Sequence, residues 1–226
     1  MDDAPENGSI QPGLTPERVG FFTDAVFAIA MTLLVIEIPR PEGSEFGVGN
    51  GVSKADAAAH LWHFLAHQAN AFYAYALAFY ILWVVWRQHH VLFDRIAKLS
   101  PVIVGWHFPL LLLVGFLPYV TTVLGHYPAN PLAALLFGLV VGGLLICRSI
   151  IQSWAYRGNL LHSTVDVAQF RADTRTSWLV VGYWMLILAL LWWTPWIQIA
   201  WFLTSLVGSS ANWLLRPRPA PTAAAA

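Results

Sequence analysis

Polar residues interrupt an apolar run between Arg18 and Ile38, among them Arg18 itself, Asp24, Thr32 and Glu37. An ionisable group within a membrane helix costs roughly 2.5–3.5 kcal/mol near the bilayer centre, so its presence points to function or to a committed partner. Arg18 and Glu37 stand near opposite ends, where a long side chain reaches the interface. Asp24 stands about two turns in and needs a partner. With Ile29 as reference and about 100° per residue, Phe22, Ala25, Leu33 and Ile36 lie within about 40° of it, Thr32 at about 60° and Asp24 about 140° away. One face therefore carries Ile29, Thr32, Leu33 and Ile36, and Asp24 faces other helices. Such a stripe does not by itself make a pore, because it is also the ordinary lipid-facing or core surface of a membrane helix.

Histidine is the second residue type able to do chemistry, with eight in the chain. His60, His63 and His67 share one helical face, a spacing that can hold a transition metal. Together with His89 and His90 they resemble the histidine sets of membrane di-iron desaturases. Those enzymes gather their ligands on one side of the membrane. Here the two groups fall at opposite ends of one expected helix, roughly 35–45 Å apart at about 1.5 Å per residue, so no single centre uses both. No cofactor or resident metal is expected. The single Cys147 lies in an apolar run and reads as a buried, inert thiol. With no nucleophile constellation, phosphate loop or nucleic-acid motif, the chain does not read as an enzyme or a nucleic-acid binder.

The elements that must position these residues follow from composition. Hydrophobic residues make up 58% of the 226 and charged residues 11%, against roughly 25% charged in soluble domains. The surface must meet lipid. Six segments reach the roughly 20 apolar residues needed to span a bilayer: Pro16 to Ile38, Ala66 to Trp86, Pro101 to Leu124, Pro131 to Ile151, Thr176 to Trp193 and Pro195 to Leu215. The fold class is an all-α integral membrane protein with six transmembrane helices. Thr15-Pro16 opens the first as N-cap and first helical residue. Residues 40–59 form an outer loop, Gln152 to Arg175 a polar linker that is helical in part, and Thr194-Pro195 a tight turn among interfacial Trp residues.

Ten of the twelve Lys and Arg residues fall on the N-terminus, the even-numbered loops and the tail, among them Arg87, Arg95, Arg148 and Arg216. By the positive-inside rule both termini are cytoplasmic and the protein is a multi-pass cell-membrane protein. Residues 1–15 and 216–226 read as disordered ends around a 16–215 membrane domain, and the acidic start lacks the pattern of a cleavable signal peptide. There is no convincing internal repeat and no broken helix. Net charge is zero, which gives no attraction to nucleic acid.

The run Arg18-Val19-Gly20-Phe21-Phe22-Thr23-Asp24 fits the pattern R-x-x-x-F-[S/T]-D. With the following Ala25 to Leu34 it resembles the first helix of the transmembrane protein 175 family, potassium channels of lysosomes and prokaryotes, with Thr23 where Ser is usual. Trp86-Arg87-Gln88-His89-His90 is similar to that family's tryptophan and histidine cluster. Phe116-Leu117-Pro118-Tyr119 and Thr121 are similar to its proline-containing third helix, while Trp106-His107 departs from an Asn-containing pair. The specific similarity covers about residues 16–125.

The resemblance implies a homotetramer of six-helix subunits in the lipid bilayer, with four first helices lining a central pore for potassium and other monovalent cations. It implies a constriction of apolar rings at Ile29, Leu33 and Ile36, with Thr32 at a hydroxyl position that favours cations. Such a pore gates by dewetting and discriminates modestly between K+ and Na+. Arg18, Phe22, Thr23, Asp24, Trp86, His89 and His90 then form a structural network, with Asp24 facing His89, His90 or a Trp N–H. Pairing with a histidine would make gating pH-sensitive, since imidazole titrates near 6.5. The rival reading is a proton-coupled secondary transporter that uses Asp24 and the histidines as a relay.

Overall fold

The computed structural model describes residues 14–49, 51–191 and 197–216; the expected disordered ends fall largely outside these, and the Thr194-Pro195 turn entirely so. The described residues form eight α-helices and one 3-10 turn. They are α1 (Pro16–Ile36), α2 (Lys54–His67), α3 (Ala69–Phe93), α4 (Pro101–His126), α5 (Pro131–Arg157), α6 (Val167–Leu190), α7 (Ile197–Phe202) and α8 (Thr204–Leu215), with the 3-10 turn at Ser44–Phe46 between α1 and α2. The chain is a membrane protein: α1, α3, α4 and α5 are each long and apolar enough to cross a bilayer.

Local chemistry sets the helix starts. The Thr15 hydroxyl accepts the Arg18 N–H at 3.3 Å with Pro16 at the first helical position, and Ser100-Pro101 and Asn130-Pro131 repeat the device for α4 and α5. In α4, Pro109 and Pro118 lie within the helix and cannot donate to the preceding turn. Thr121 adds a hydroxyl hydrogen bond to the Leu117 carbonyl one turn before it, apart from the Gly105 and Val114 carbonyls that lose an N–H donor to the two prolines.

Packing runs in a chain, α1 against α3 and α4, α4 against α5, α5 against α6, and α6 against α8. Small residues let the backbones approach. A Cβ on Gly125 would stand 3.1 Å from the Ala71 backbone, and one on Gly142 would stand 2.7 Å from Met185 and 3.0 Å from Trp184. The Trp184 indole fills the room so made and donates to the Gly138 carbonyl at 2.7 Å.

Three expectations are corrected. The segment expected to be a loop followed by a continuous second span is two helices, broken at Gln68, and α2 begins at Lys54. The polar pair Gln68 and Asn70 marks the place. α2 is almost wholly exposed, with Ala57 alone buried among its residues, and docks on the 3-10 turn through an edge-on Phe46–Phe64 contact at 5.4 Å. The polar linker is shorter than expected, because α5 runs to Arg157 and α6 starts at Val167. Arg148 is therefore interior to a long apolar helix and is not a loop charge. The sixth segment breaks at Leu203 into α7 and α8, contrary to the expectation of unbroken helices.

Candidate functional site

α1 divides cleanly. Val19, Thr23, Phe27, Ala30 and Leu34 are buried against α3 and α4. The opposite side carries Phe22, Ile29, Leu33 and Ile36 at 62%, 59%, 41% and 56% exposure, with Thr32 exposed among them. These large apolar side chains are left largely open by the other described residues. Phe22 stands on this exposed face, where its place within about 40° of Ile29 puts it, and not beside the other residues of the motif network. The Thr32 hydroxyl donates to the Ile29 carbonyl at 2.8 Å. That bond uses its only proton and leaves its oxygen able only to accept.

On the side of α1 turned toward α3, Asp24 accepts two hydrogen bonds. The Trp86 indole N–H donates to one carboxylate oxygen at 2.9 Å, and His90 Nδ1 donates to the other at 3.3 Å. Trp86 and His90 stand one turn apart on α3 with ring centroids 5.7 Å apart, so one helix face presents both donors. Of the three partners open to Asp24 from the sequence, these two meet it.

His89 goes elsewhere. It is fully buried, and its Nε2 lies 3.1 Å from Nε2 of His107 on α4. His107 Nδ1 donates to the Ile103 carbonyl at 2.7 Å. In neutral rings this fixes both tautomers: His107 Nε2 accepts, His89 Nε2–H donates, and His89 Nδ1 carries a bare lone pair. Phe93 stacks on His89 at 4.5 Å and meets His107 edge-on at 5.0 Å, and Phe27 of α1 closes the group 6.2 Å from His89. The buried hydroxyl of Thr23 and His89 Nδ1 have no hydrogen-bond partner among the described residues.

The sequence had singled out His107 only as a departure, and its pairing with His89 joins α3 to α4 as Asp24 joins α1 to α3. A third tie lies at the other end of α1, where the Thr122 hydroxyl donates to Glu37 at 3.0 Å. A lone histidine in the apolar third span was the available signal for the buried pair. Arg18 lies in the first turn of α1, exposed. His60, His63 and His67 sit on α2, a different helix from His89 and His90, so the expected separation along one helix does not apply. His60 donates to the Glu45 carbonyl at 3.2 Å, and no cluster of three metal-ligating side chains occurs among the described residues.

Residues 18–118 match the family model described as endosomal/lysosomal potassium channel TMEM175. The chain is 30% identical over 160 residues to a potassium channel of Streptomyces collinus, covering 69% of this chain and 72% of that protein. It is 27% identical over 187 residues to a potassium channel of Chamaesiphon minutus, covering 80% and 87%. The fold is similar to the crystal structure of a lysosomal potassium-selective channel TMEM175 homolog from Chamaesiphon minutus, with a TM-score of 0.71 and 24% identity over 87% of this chain and 98% of that one.

Proposed function

Since the chain belongs to the family of the endosomal/lysosomal potassium channel TMEM175, we propose that it forms a potassium-permeable cation channel in the cell membrane. Four copies assemble with the exposed face of each α1 turned to a common axis. The observation that carries this reading is that face itself: Ile29, Leu33 and Ile36 are large, apolar and uncovered, at the spacing of rings along one helix. In lipid an apolar surface gains nothing by being hidden, so exposure alone is compatible with a lipid-facing stripe. The hydroxyl oxygens of Thr32 among these side chains favour a water-filled axis.

In this reading the rings of Ile29, Leu33 and Ile36 make a constriction that dewets when narrow and must widen to pass an ion. Thr32 oxygens replace part of the ion's hydration shell one turn from Ile29, giving modest preference for K+ over Na+. Arg18, Thr23, Asp24, Trp86, His89 and His90 hold α1 against its neighbours and do not touch the ion, and Phe22 extends the pore-facing stripe. α6 and the α7–α8 pair complete six crossings, with both termini cytoplasmic.

The transporter alternative needs a continuous proton path. Asp24 and His90 form one group and His89 with His107 another, with no hydrogen bond joining them among the described residues. Reconstituted flux separates the readings: a channel carries potassium with a reversal potential that follows the potassium gradient, whereas a coupled carrier follows the proton gradient.

A further inference from the structure

A second feature lies on the far side of the subunit from α1, among α3, α5, α6 and α8. These helices enclose a cavity of about 500 Å³, within the roughly 300–1,000 Å³ of small-molecule sites. Four guanidiniums line it, those of Arg87, Arg95, Arg148 and Arg216, against one carboxylate, Asp173, among the described residues. That carboxylate is already engaged by Arg95 at 2.6 Å and by the Gln169 amide at 2.9 Å. Arg148 lies roughly 13 Å from the end of α5 at about 1.5 Å per residue, and its direct partner is the Ser177 hydroxyl at 2.6 Å. No carboxylate among the described residues comes within 4.0 Å of it, and Asp173 attracts it only from beyond that distance while engaged by Arg95. A cation so placed is costly without a counter-charge.

The remaining polar atoms say what the counter-charge carries. Among the described residues, Arg148 Nε and the Thr176 hydroxyl are buried donors without a partner, and Gln152 Oε1 and Asn212 Oδ1 are buried acceptors without one. Gln152 and Thr176 are 3% and 9% exposed, and all four residues line the cavity. A bare anion would satisfy the donors and leave the two amide oxygens empty. A phosphate bearing a hydroxylated group satisfies both sets. The wall also carries the hydroxyls of Ser205 and Ser209 and an apolar part with Val84, Val91, Leu145 and Val180, and that apolar part suits an acyl chain.

We propose that this cavity binds a phosphoglycerol group, its phosphate on Arg148, Thr176 and the neighbouring guanidiniums and its hydroxyls on Gln152 and Asn212. Basic pockets between membrane helices are known to hold anionic headgroups. The group can come from a membrane lipid or from free glycerol phosphate, and the site is independent of the pore on α1.

The test is native mass spectrometry of the full chain with added phosphatidylglycerol, phosphatidylcholine or glycerol 3-phosphate. Phosphatidylglycerol should occupy one site per chain, and Arg148→Gln should weaken its binding at least about thirtyfold, the scale for removing one member of a buried charge-assisted contact. Arg157→Gln, at an exposed arginine outside the cavity, should leave occupancy unchanged. Where Arg148→Gln fails to assemble, the exposed Arg87→Gln decides by the same readout. Saturable glycerol 3-phosphate binding lost in these variants would support the same site with a soluble source. Equal occupancy by phosphatidylcholine, or no difference between Arg148→Gln, Arg87→Gln and Arg157→Gln, would overturn the proposal. None of these readouts depends on current, so they leave the channel reading separately testable.

Discussion

α1 and α5 are both strongly apolar helices long enough to cross a membrane, and they sit in the molecule in opposite ways. In the most apolar stretch of α1, 22% of residues are buried; in that of α5, 61% are. Hydropathy decides that each enters the bilayer, but it says nothing about what each then touches. In lipid, close packing and polar contacts decide that. α5 carries Gly138 and Gly142, which admit Trp184 and its hydrogen bond from α6. α1 places the bulk of Phe22, Ile29, Leu33 and Ile36 on the side that the other described helices leave uncovered.

The sharpest way to break this contrast is to remove bulk from α5. Phe137 is fully buried and its ring lies 5.1 Å from that of Trp201. Phe137→Ala should cost about 3 kcal/mol through the cavity it leaves, measured by denaturant unfolding in detergent. Adding bulk is the next largest effect. Gly142→Leu drives a side chain into Trp184 and Met185 and should cost about 1–3 kcal/mol in the same assay. A loss as small as that of an exposed substitution would show that the α5–α6 contact is looser than described.

A third change probes the tie that fixes which way α1 faces. Asp24→Ala leaves the Trp86 indole N–H without its acceptor and should cost about 1–2 kcal/mol, read as a lower thermal midpoint. His90→Gln keeps a donor and should cost less. The smallest effect belongs to the exposed face of α1, where Leu33→Ala should change stability by no more than about 0.5 kcal/mol. A loss as large as that of Phe137→Ala would mean that this face is covered in the folded protein by something other than water or lipid.

The two faces of α1 were legible in the sequence because a 3.6-residue period and one misplaced carboxylate identify them without any neighbour. The requirement that Asp24 have a partner was equally legible, since a lone carboxylate in an apolar helix is too costly. Its choice of Trp86 and His90 was not, because only the rotation of α3 decides which of three adjacent groups reaches it. The His89–His107 pair depends on two helices meeting at one height, which no local pattern encodes. The breaks at Gln68 and Leu203 escaped because a hydropathy window averages over a single turn. The arginine-lined cavity escaped for a related reason. Arg148 was counted with the loop charges that orient the chain, and only the extension of α5 to Arg157 turns it into an interior cation.

The central claim is that the uncovered face of α1 lines the ion path. Planar-bilayer recordings of the purified full-length protein and of Ile29→Ala, in symmetrical and then bi-ionic potassium and sodium, test it most directly. The account predicts a potassium-permeable current in the native protein and a several-fold larger one in Ile29→Ala, as the side chain that opposes wetting is shortened. Unchanged conductance and selectivity in Ile29→Ala, with native current intact, would contradict it.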